Sequence, residues 1–535
     1  MSKKILAFLV SAVMLFTAVC CVPASAADEF ENTLNRALDE LVDLLVNGIS
    51  MLIAEPDWVD KEDYVTENFY AGNSADEFLD VPAEDAAWLI GYANASIQTG
   101  KELTEEHYVG GSLSVTKKLA TEIRDDQKVR TIAVSDGRGI TIFSVVDSYG
   151  MSLTDVRGIR AQFQKYADEN DLDITAVNVS ALHQHSCVDT FGLNGNLVEA
   201  LFLSSIRNIL GIELPSGQNK DFMENLYNVT VDTMIEAVEN MEEGNLYYGN
   251  VDISEYIRDK RDPQVIDPNM NRLRFAPADG GAETWIMNAP IHCVGNGAGG
   301  TLITGDYPYF MEQYINETEG ANVFYILGAE LAISSQGDPI TPDMYDQELV
   351  EKYDEGYAHI KAFGEALAKK TCSIQEKDER IVAPIFNIAF KEAFVEVENS
   401  ILQLAAKGGL LTNQVVKTGF NKCEVVTEVG YCEFGTDISV AIIPGELAPE
   451  IAFGGAETAA ESWDGLEWNY TSFADAAGES RKLIVFGITN DQIGYLLPYN
   501  EWHSYFTENE EIVSAGRSAG ITITDAYLTL FEEVR

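Results

Sequence analysis

Apolar residues recur at steps of three and four in the segment between residues 28 and 53. They are Leu34, Leu38, Leu41, Leu44 and Leu45. Because an α-helix has about 3.6 residues per turn, this spacing predicts an amphipathic helix. The polar positions of the segment are mostly acidic, whereas helices that lie in a membrane interface carry a basic polar face. We therefore expect this helix to pack against the rest of the chain.

From about residue 83 the pattern alternates between strand-like and helix-like runs. Two strand-like runs between residues 129 and 147 flank a tight turn that contains Gly137 and Gly139. Helical periodicity is predicted for residues 153–170, 196–210, 221–241 and 342–370. Extended runs are predicted for residues 171–182, 283–294, 322–333, 382–398, 439–443 and 483–488. Long apolar strands with helices between them favour an α/β or mixed α+β fold, in which helices cover mixed β-sheets.

The N-terminus has the features of a secretory signal peptide. Lys3 and Lys4 precede an apolar run at residues 5–19, and small residues precede Ala27. We expect cleavage near Ala27 and a secreted mature protein, extracellular or periplasmic. The residues around Cys20 do not form a lipoprotein cleavage motif, so we expect release rather than lipid anchoring. No later run reaches about eighteen apolar residues, and stable membrane insertion is therefore not expected.

The sequence divides into three predicted segments. Residues 1–26 form the signal peptide, residues 27–82 form a helical lead with a covering loop, and residues 83–535 form one large domain. Hydrophobic residues make up 46% of the chain, which is enough for a large buried core. The fold class expected for the large domain is mixed α+β.

The charged residues are strongly unbalanced, with 86 acidic against 35 basic residues and a formal net charge of −51. A surface of this sign repels nucleic-acid phosphates and anionic lipids, so no nucleic-acid partner is expected. Bound calcium or magnesium would suit the charge, but the sequence lacks the ligand spacing of an EF-hand loop. We interpret the acidic excess as a solvated surface that keeps a secreted protein soluble.

Five cysteines follow the predicted signal peptide, an odd number that is too small for a disulfide scaffold. Cys423 and Cys432 flank a hairpin-like segment and could form a disulfide. Cys187 and Cys293 each lie near a histidine of interest. Because His292 and Cys293 are neighbours in an extended run, their side chains should face opposite sides. We therefore expect Cys293 to be a buried thiol or half of a disulfide, rather than a metal ligand.

Two histidines follow the strand-like run at residues 171–182. His183 and His185 are two positions apart, so in an extended backbone both side chains point to one side. A third histidine, His292, ends another strand-like run, which breaks into glycines. Strand ends that open into glycine-rich loops are common places for chemistry in α/β proteins. A single buried histidine is usually structural, whereas this set predicts a metal site or a catalytic centre.

Two further strand ends carry polar residues. Glu446 follows Pro444 and Gly445 at the end of an apolar run, and Tyr495 closes a turn that begins at Asn490. Taken alone, Glu446 would be explained as an acid at a helix N-terminus, where the helix dipole stabilises it. Taken alone, Tyr495 would be explained as a core aromatic residue.

The four segments together resemble the neutral ceramidase family, the zinc-dependent N-acylsphingosine amidohydrolases. The family's His-Thr-His-Ser motif is matched by residues 183–186, and its later histidine with a Ser-Gly-Asp segment is matched by His292 with residues 304–306. Its Pro-Gly-Glu motif is matched at residues 444–446, and its Asn-x4-Tyr turn at residues 490–495. The four motifs occur in the family's order, and the resemblance extends over residues 91–534.

The resemblance implies four zinc ligands, which are His183, His292, Glu446 and Tyr495. It also implies that His185 faces the carbonyl group of the substrate. Zinc lowers the pKa of a coordinated water to about 7 and polarises a carbonyl, which permits amide hydrolysis at neutral pH. Asp306 is expected either to orient His292 or to cap a helix that begins near Tyr307. The implied activity is hydrolysis of the N-acyl amide of ceramide or a related lipid amide.

The sequence departs from the family pattern in three places. Residues 337–343 are one residue longer than the family's Gly-Asp-Val-Ser-Pro-Asn segment, and Thr341 replaces a serine that acts in catalysis in the family. Thr341 would either keep that catalytic role or cap the helix predicted from Pro342. The glycines that follow the family's first motif are missing after Ser186. The family's C-terminal immunoglobulin-like domain is also expected to be absent.

These departures leave two further functions open. A zinc hydrolase of the same scaffold would cleave esters or phosphoesters rather than amides. A binding or surface protein would keep the fold without turnover, and replacing His185 would then change little except stability. No oligomeric state follows from the sequence.

Overall fold

Two large mixed β-sheets, three two-stranded sheets and the helices packed around them form the described part of the chain. The structure is a computed structural model that describes residues 29–51, 53, 56–111, 117–195, 217–297, 300–335, 339–505 and 511–535. The predicted signal peptide and the helix predicted for residues 196–210 lie outside these described residues. The alternation of strands and helices confirms the predicted mixed α+β class.

The elements are numbered here in chain order. The helices are α1 (Glu29–Ser50), α2 (Leu153–Glu169), α3 (Lys220–Glu239), α4 (Asp306–Glu319), α5 (Gln347–Lys352), α6 (Glu355–Cys372), α7 (Ser400–Gly408), α8 (Pro449–Phe453), α9 (Phe473–Ala477) and α10 (Ala519–Val534). The strands are β1 (Val59–Asp60), β2 (Trp88–Ser96), β3 (Glu122–Ile123), β4 (Lys128–Ser135), β5 (Ile140–Val146), β6 (Ile174–Ala181), β7 (Glu242–Asp252), β8 (Ile257–Asp259), β9 (Asn269–Pro277), β10 (Thr284–Ala289), β11 (Leu302–Ile303), β12 (Asn322–Leu327), β13 (Ile333–Ser335), β14 (Arg380–Val382), β15 (Phe386–Glu396), β16 (Val415–Gly419), β17 (Lys422–Phe434), β18 (Ile438–Ile442), β19 (Glu446–Leu447), β20 (Lys482–Phe486) and β21 (Tyr495–Leu496). The two-stranded sheets are β3/β11, β8/β13 and β19/β21.

The larger sheet has nine strands in the order β12-β10-β9-β7-β2-β4-β5-β6, with β14 beside β7. The pairs β5/β6 and β10/β12 are parallel, whereas β4 and β5 form the predicted antiparallel hairpin. Gly137 and Gly139 in its turn have φ values of 98° and 109°, a conformation that favours glycine because it has no Cβ. Helix α3 packs on β2 and β4, and α4 packs on β12.

The smaller sheet has six strands in the order β1-β16-β17-β18-β20, with β15 beside β17 and α10 packed on β15 and β17. The two sheets share one core. The ring of Phe143 on β5 makes edge contacts with Phe486 on β20 and Phe386 on β15, at centroid distances of 5.8 and 6.4 Å. Burying each such ring contributes about 1.5–3 kcal/mol. This packing fixes the ends of strands from the two sheets relative to each other.

Helix α1 confirms the amphipathic helix predicted between residues 28 and 53. Val46 and Ile49 pack with Leu404 of α7, whereas Leu41 and Leu44 on another side are 43% and 71% exposed. The expected packing is therefore present on one side of the helix. None of the described helices is both long and apolar enough to cross a membrane.

The prediction of a single helix over residues 342–370 is wrong. The segment instead contains a short 3₁₀ turn at Pro342–Met344, followed by α5 and α6. The side chains of Asp346 and Asp354 accept hydrogen bonds from backbone amides at the starts of α5 and α6. Aspartate is a strong N-cap residue, so each of these positions begins a new helix rather than continuing the previous one.

The possible disulfide between Cys423 and Cys432 is not formed, so that prediction is also wrong. Both residues lie on the single strand β17, which continues through the segment that resembled a hairpin. Nine steps along a strand separate their Cα atoms by about 30 Å, far beyond the reach of a disulfide. The described cysteines are free thiols, and Cys187 and Cys293 are both buried.

Candidate metal centre

Loops after three strands bring His183, His292 and Glu446 together between the two sheets. His183 follows β6, His292 follows β10, and Glu446 lies on β19 shortly after β18. Backbone hydrogen bonds hold these loops in place. The amide of His185 donates to the carbonyl of Cys293 at 3.0 Å, and the amide of Glu446 donates to the carbonyl of Gly494 at 3.1 Å.

The backbone at His183 is strained. Its φ of 48° lies in the left-handed region, where a residue with a Cβ pays of the order of 1–2 kcal/mol. Its ring is stacked on Tyr149, with ring centroids 4.4 Å apart. This left-handed conformation turns the chain sharply after β6, and the surrounding structure holds the strained conformation in place. Such strain is typical of functional sites.

Three ligand atoms converge in this region. Glu446 Oε2 lies 3.5 Å from His183 Nε2 and 3.2 Å from His292 Nε2. All three side chains are buried. Apart from these two imidazoles, Glu446 Oε2 has no hydrogen-bond donor among the described residues.

Hydrogen bonds on the far side of each ring set which nitrogen carries the proton. His183 Nδ1–H donates to the carbonyl oxygen of Tyr149 at 2.8 Å, and His292 Nδ1–H donates to that of Glu330 at 3.0 Å. A neutral ring with its proton on Nδ1 presents the Nε2 lone pair toward Glu446, as His183 does, whereas His292 must lose its Nε2 proton before that nitrogen can bind a metal ion. Imidazoles that bind metals are held in this way, with the other ring nitrogen donating to an oxygen acceptor.

The spacing of Glu446 Oε2 from the two imidazole nitrogens fits a metal ion. Bonds of about 2.0–2.1 Å in tetrahedral geometry place neighbouring ligand atoms about 3.3 Å apart, close to both distances measured from Glu446 Oε2. Two imidazoles and one carboxylate also leave a position open for another ligand or a substrate.

Comparisons with known proteins give a match at the level of structure. The sequence matches no protein-family model and no curated protein. The crystal structure of neutral ceramidase from Pseudomonas aeruginosa superimposes with a TM-score of 0.60 at 15% identity, covering 84% of this chain and 75% of that chain. The fold is similar to that of neutral ceramidase. A structure described as ceramidase complexed with C2 has a TM-score of 0.59 at 14% identity, with the same coverage.

The neutral ceramidase resemblance expected from the sequence is therefore confirmed for the fold. The resemblance also named His185, and the structure brings this residue to the same cluster. Its ring centroid lies 4.7 Å from that of His183 and 5.5 Å from that of His292. Neither ring nitrogen of His185 has a hydrogen-bond partner among the described residues. Burial, helped by the two neighbouring imidazoles, holds the pKa of His185 well below its usual value, so this ring is neutral.

The pKa values of the other two histidines are shifted in opposite directions. Burial lowers the pKa of His183 to about 4. Burial also acts to lower the pKa of His292, but the carboxylates of Glu330 and Glu446 outweigh it and raise that pKa to about 10. Two carboxylates thus attract positive charge to the ring of His292, and a metal ion at Nε2 would supply that charge instead of a proton.

Tyr495 lies beside Glu446. The two residues are paired in the parallel bridge between β19 and β21, and Tyr495 is buried. The same turn supplies Gln492, whose Nε2–H donates to Glu446 Oε1 at 2.8 Å. Gln492 was missed by the sequence analysis, although it lies inside the Asn-x4-Tyr turn. Its bond fixes one oxygen of Glu446 and leaves Oε2 directed at the two histidines.

Asp306 and Thr341 lie apart from these contacts. Asp306 is the first residue of α4, and its carboxylate accepts from the amides of Tyr307 and Asn296 at 2.7 and 3.3 Å. The helix begins at Asp306 itself, with Gly305 as the N-cap residue, and the described ion-pair contacts of His292 are with Glu330 and Glu446. Thr341 precedes the 3₁₀ turn, is exposed, and donates from Oγ1 to Asp343 at 2.6 Å.

Glu330 is the ligand-type residue that sequence reasoning missed. It follows β12 after Gly328 and Ala329, and its carboxylate contacts His292 Nδ1. Together with His292 and Glu446 it forms a group whose ligand atoms lie within 4.8 Å of one another. The sequence signal was an acidic residue directly after a buried apolar strand, in the same setting as Glu446.

Proposed function

We propose that this protein is a secreted zinc-dependent amidohydrolase that cleaves the N-acyl amide of ceramide or a related lipid amide. The observation that carries the proposal is the convergence of His183 Nε2 and His292 Nε2 on Glu446 Oε2 at 3.5 and 3.2 Å. This convergence occurs in a chain whose fold is similar to that of neutral ceramidase. The predicted signal peptide at residues 1–26 supports secretion.

His183, His292 and Glu446 would hold the zinc ion, with Tyr495 as the fourth protein ligand. Imidazole nitrogen and carboxylate oxygen are common zinc ligands, and a cation nearby favours the ionised form of a tyrosine hydroxyl. A zinc ion held here supplies Lewis acidity to a water molecule and to the amide carbonyl. Gln492 restrains the Glu446 carboxylate through Oε1.

His185 is the residue we assign to proton transfer. Its neutral ring has two nitrogens without a described partner, and it lies beside the two histidine ligands. Hydrolysis of an amide removes a proton from water and delivers one to the leaving amine nitrogen. A neutral imidazole can accept the first proton and donate the second. Thr341 is proposed as a hydroxyl that positions the substrate, because it stands in place of the family's serine.

The test is the metal content of the purified mature protein together with hydrolysis of a fluorogenic N-acylsphingosine. Wild type should hold one zinc ion and release the amine product, and His183→Ala should lose both. His185→Ala should keep zinc and lower kcat by about 10²–10⁴-fold, the usual contribution of a general acid–base group.

Other outcomes would select the alternative functions. Zinc with ester or phosphoester cleavage, but no amide cleavage, would identify a hydrolase of different substrate class. Zinc without any hydrolysis, and with no effect of His185→Ala, would identify a binding protein. Absence of zinc from folded wild type would refute the proposed metal centre.

A further inference from the structure

His292 lies between two carboxylates. Glu446 Oε2 is 3.2 Å from its Nε2, and the Glu330 carboxylate contacts Nδ1 on the opposite edge of the ring. Because the two ring nitrogens face different acids, one edge can bind a metal ion while the other donates a hydrogen bond. His183 differs, since its Nδ1 donates to the backbone carbonyl of Tyr149.

The environment of Glu330 makes this contact unusual. Its side chain is completely buried. Neither carboxylate oxygen has a hydrogen-bond partner among the described residues, and Oε2 makes an ion-pair contact with His292 Nδ1. Burying a carboxylate without donors is costly, because the interior solvates charge far less well than water does. A carboxylate kept in this state is therefore expected to act on His292, whose Nδ1 it contacts.

Backbone groups near Glu330 also hold His292 in place through hydrogen bonds. The carbonyl oxygen of Glu330 accepts from His292 Nδ1 at 3.0 Å, and the amide of His292 donates to the carbonyl of Ile333 at 3.1 Å. The turn between these residues contains Ala332 at a φ of 60°, a strained value for a residue with a Cβ. The amide of Leu331 donates to the carbonyl of Leu447, next to Glu446, at 3.3 Å.

We propose that Glu330 is a positioning residue for the metal centre. Its carboxylate lies against Nδ1 of His292, whose proton goes to the backbone carbonyl of the same residue. The negative charge there holds the ring with Nε2 directed at Glu446 and makes His292 a stronger metal ligand. The inference rests on the proposed function, because it presupposes a metal ion at Nε2 of His292. A negative acceptor on the far edge of an imidazole increases the basicity of the ligating nitrogen.

The experiment is a measurement of zinc affinity on the purified mature chain, by competition with a chelator. Glu330→Gln keeps the shape and a hydrogen-bond acceptor but removes the charge, and it should weaken zinc binding by about 10–100-fold. Glu330→Asp keeps the charge on a shorter side chain and should recover part of that loss. Circular dichroism and the unfolding midpoint establish that each variant is folded.

Glu102→Gln is the matched control. Glu102 is also buried, and its Oε2 has no donor among the described residues. Its other oxygen accepts from Thr99, which is not part of the histidine cluster. This variant should leave zinc affinity within about twofold of wild type, since it changes no group that contacts a proposed ligand. A merely structural role for Glu330 would make the two Gln variants behave alike.

Failure of this inference can be told apart from failure of the proposed function. If Glu330→Gln is folded and binds zinc as tightly as wild type, the positioning role is refuted and the zinc site stands. If wild type binds zinc but hydrolyses no amide, the affinity comparison still decides the role of Glu330. If wild type binds no zinc, both proposals are overturned.

Discussion

Glu446 and Glu450 lie four positions apart on one buried segment, and both side chains are almost completely buried, yet their surroundings differ. Glu446 Oε2 faces the Nε2 atoms of two histidines. Glu450 instead forms an ion pair with Arg261, whose Nη1 lies 3.5 Å from Glu450 Oε1 and whose Nη2 lies 3.0 Å from Glu501 Oε2. The first carboxylate meets groups that can share a metal ion, and the second meets a cation supplied by the chain.

The two clusters show that a buried carboxylate does not by itself indicate a metal site. Arg261 is always charged and offers only hydrogen-bond donors, so it offsets part of the negative charge of Glu450 and Glu501 and leaves no lone pair for a metal. Burial raises the pKa of both glutamates nevertheless. Around Glu446, two imidazole nitrogens face the carboxylate, and each can supply a lone pair to a metal ion when it carries no proton. The nature of the neighbouring groups therefore separates a structural cluster from a candidate metal centre.

The largest expected effect follows from replacing the carboxylate in each cluster. Glu446→Gln should remove zinc from the purified protein and lower kcat/KM at least about 1000-fold, or about 4 kcal/mol, because an amide is a poor ligand for zinc. Glu450→Gln should leave the zinc content unchanged. Metal analysis and steady-state kinetics check both. Retention of zinc by Glu446→Gln would refute the assignment of Glu446 as a metal ligand.

The second prediction concerns Arg261. Arg261→Met leaves Glu450 and Glu501 buried without their cation, and should lower the free energy of unfolding by about 3–5 kcal/mol. Urea unfolding measures this change, and the zinc content of the folded fraction should not fall. The triple variant that adds Glu450→Gln and Glu501→Gln should recover part of the loss. A change below about 1 kcal/mol would mean that the cluster does not depend on its arginine.

The smallest expected effect concerns Asp491, a buried carboxyl whose described hydrogen-bond partners include neither an arginine nor a histidine. Its Oδ1 accepts from Asn413 Nδ2 and from the amides of Leu153 and Gln492. Burial outweighs these bonds and raises its pKa from 3.8 to about 7. The folded state then holds a proton that the unfolded chain has already lost, so stability decreases as pH rises from about 4 to about 7.

Asp491→Asn tests whether this carboxyl causes the loss of stability with rising pH. The variant keeps the acceptor oxygen but cannot ionise, so its stability should fall less between pH 5 and pH 8 than that of wild type. The difference should be of the order of 1–3 kcal/mol, because one pKa unit corresponds to about 1.4 kcal/mol. Unfolding midpoints in urea at several pH values measure it. Parallel pH profiles for the two proteins would contradict the assignment.

The part of the candidate site that sequence reasoning found consists of residues in recognisable motifs. His183, His185, His292 and Glu446 each follow a strongly apolar strand, and their order along the chain matched a known family. Glu330 follows a strand in the same way, but its contact with His292 depends on a strained turn at Ala332, which the sequence does not reveal. The role considered for Asp306 illustrates the same limit, since only the fold determines which acid meets the imidazole.

The fold could be predicted to a similar depth. Period-two and period-3.6 patterns identified the hairpin of β4 and β5, and helices α1, α2 and α3, because burial on one face imposes those periods. The break between α5 and α6 was missed, because aspartate caps at Asp346 and Asp354 outweigh the helical periodicity around them. The segment between Cys423 and Cys432 was interpreted as hairpin-like, but it is part of the single long strand β17.

The hydrogen bond between Gln492 and Glu446 belongs to a cluster that also includes His183, 309 positions earlier in the chain than Gln492. Contacts of such long range form late in folding, because the loop between the partners must first be closed. A chain exported in unfolded form therefore could not carry a bound ion with it. Under the proposed function, the protein would acquire zinc in the compartment where it folds, and the supply of zinc there would limit how much of the protein becomes active.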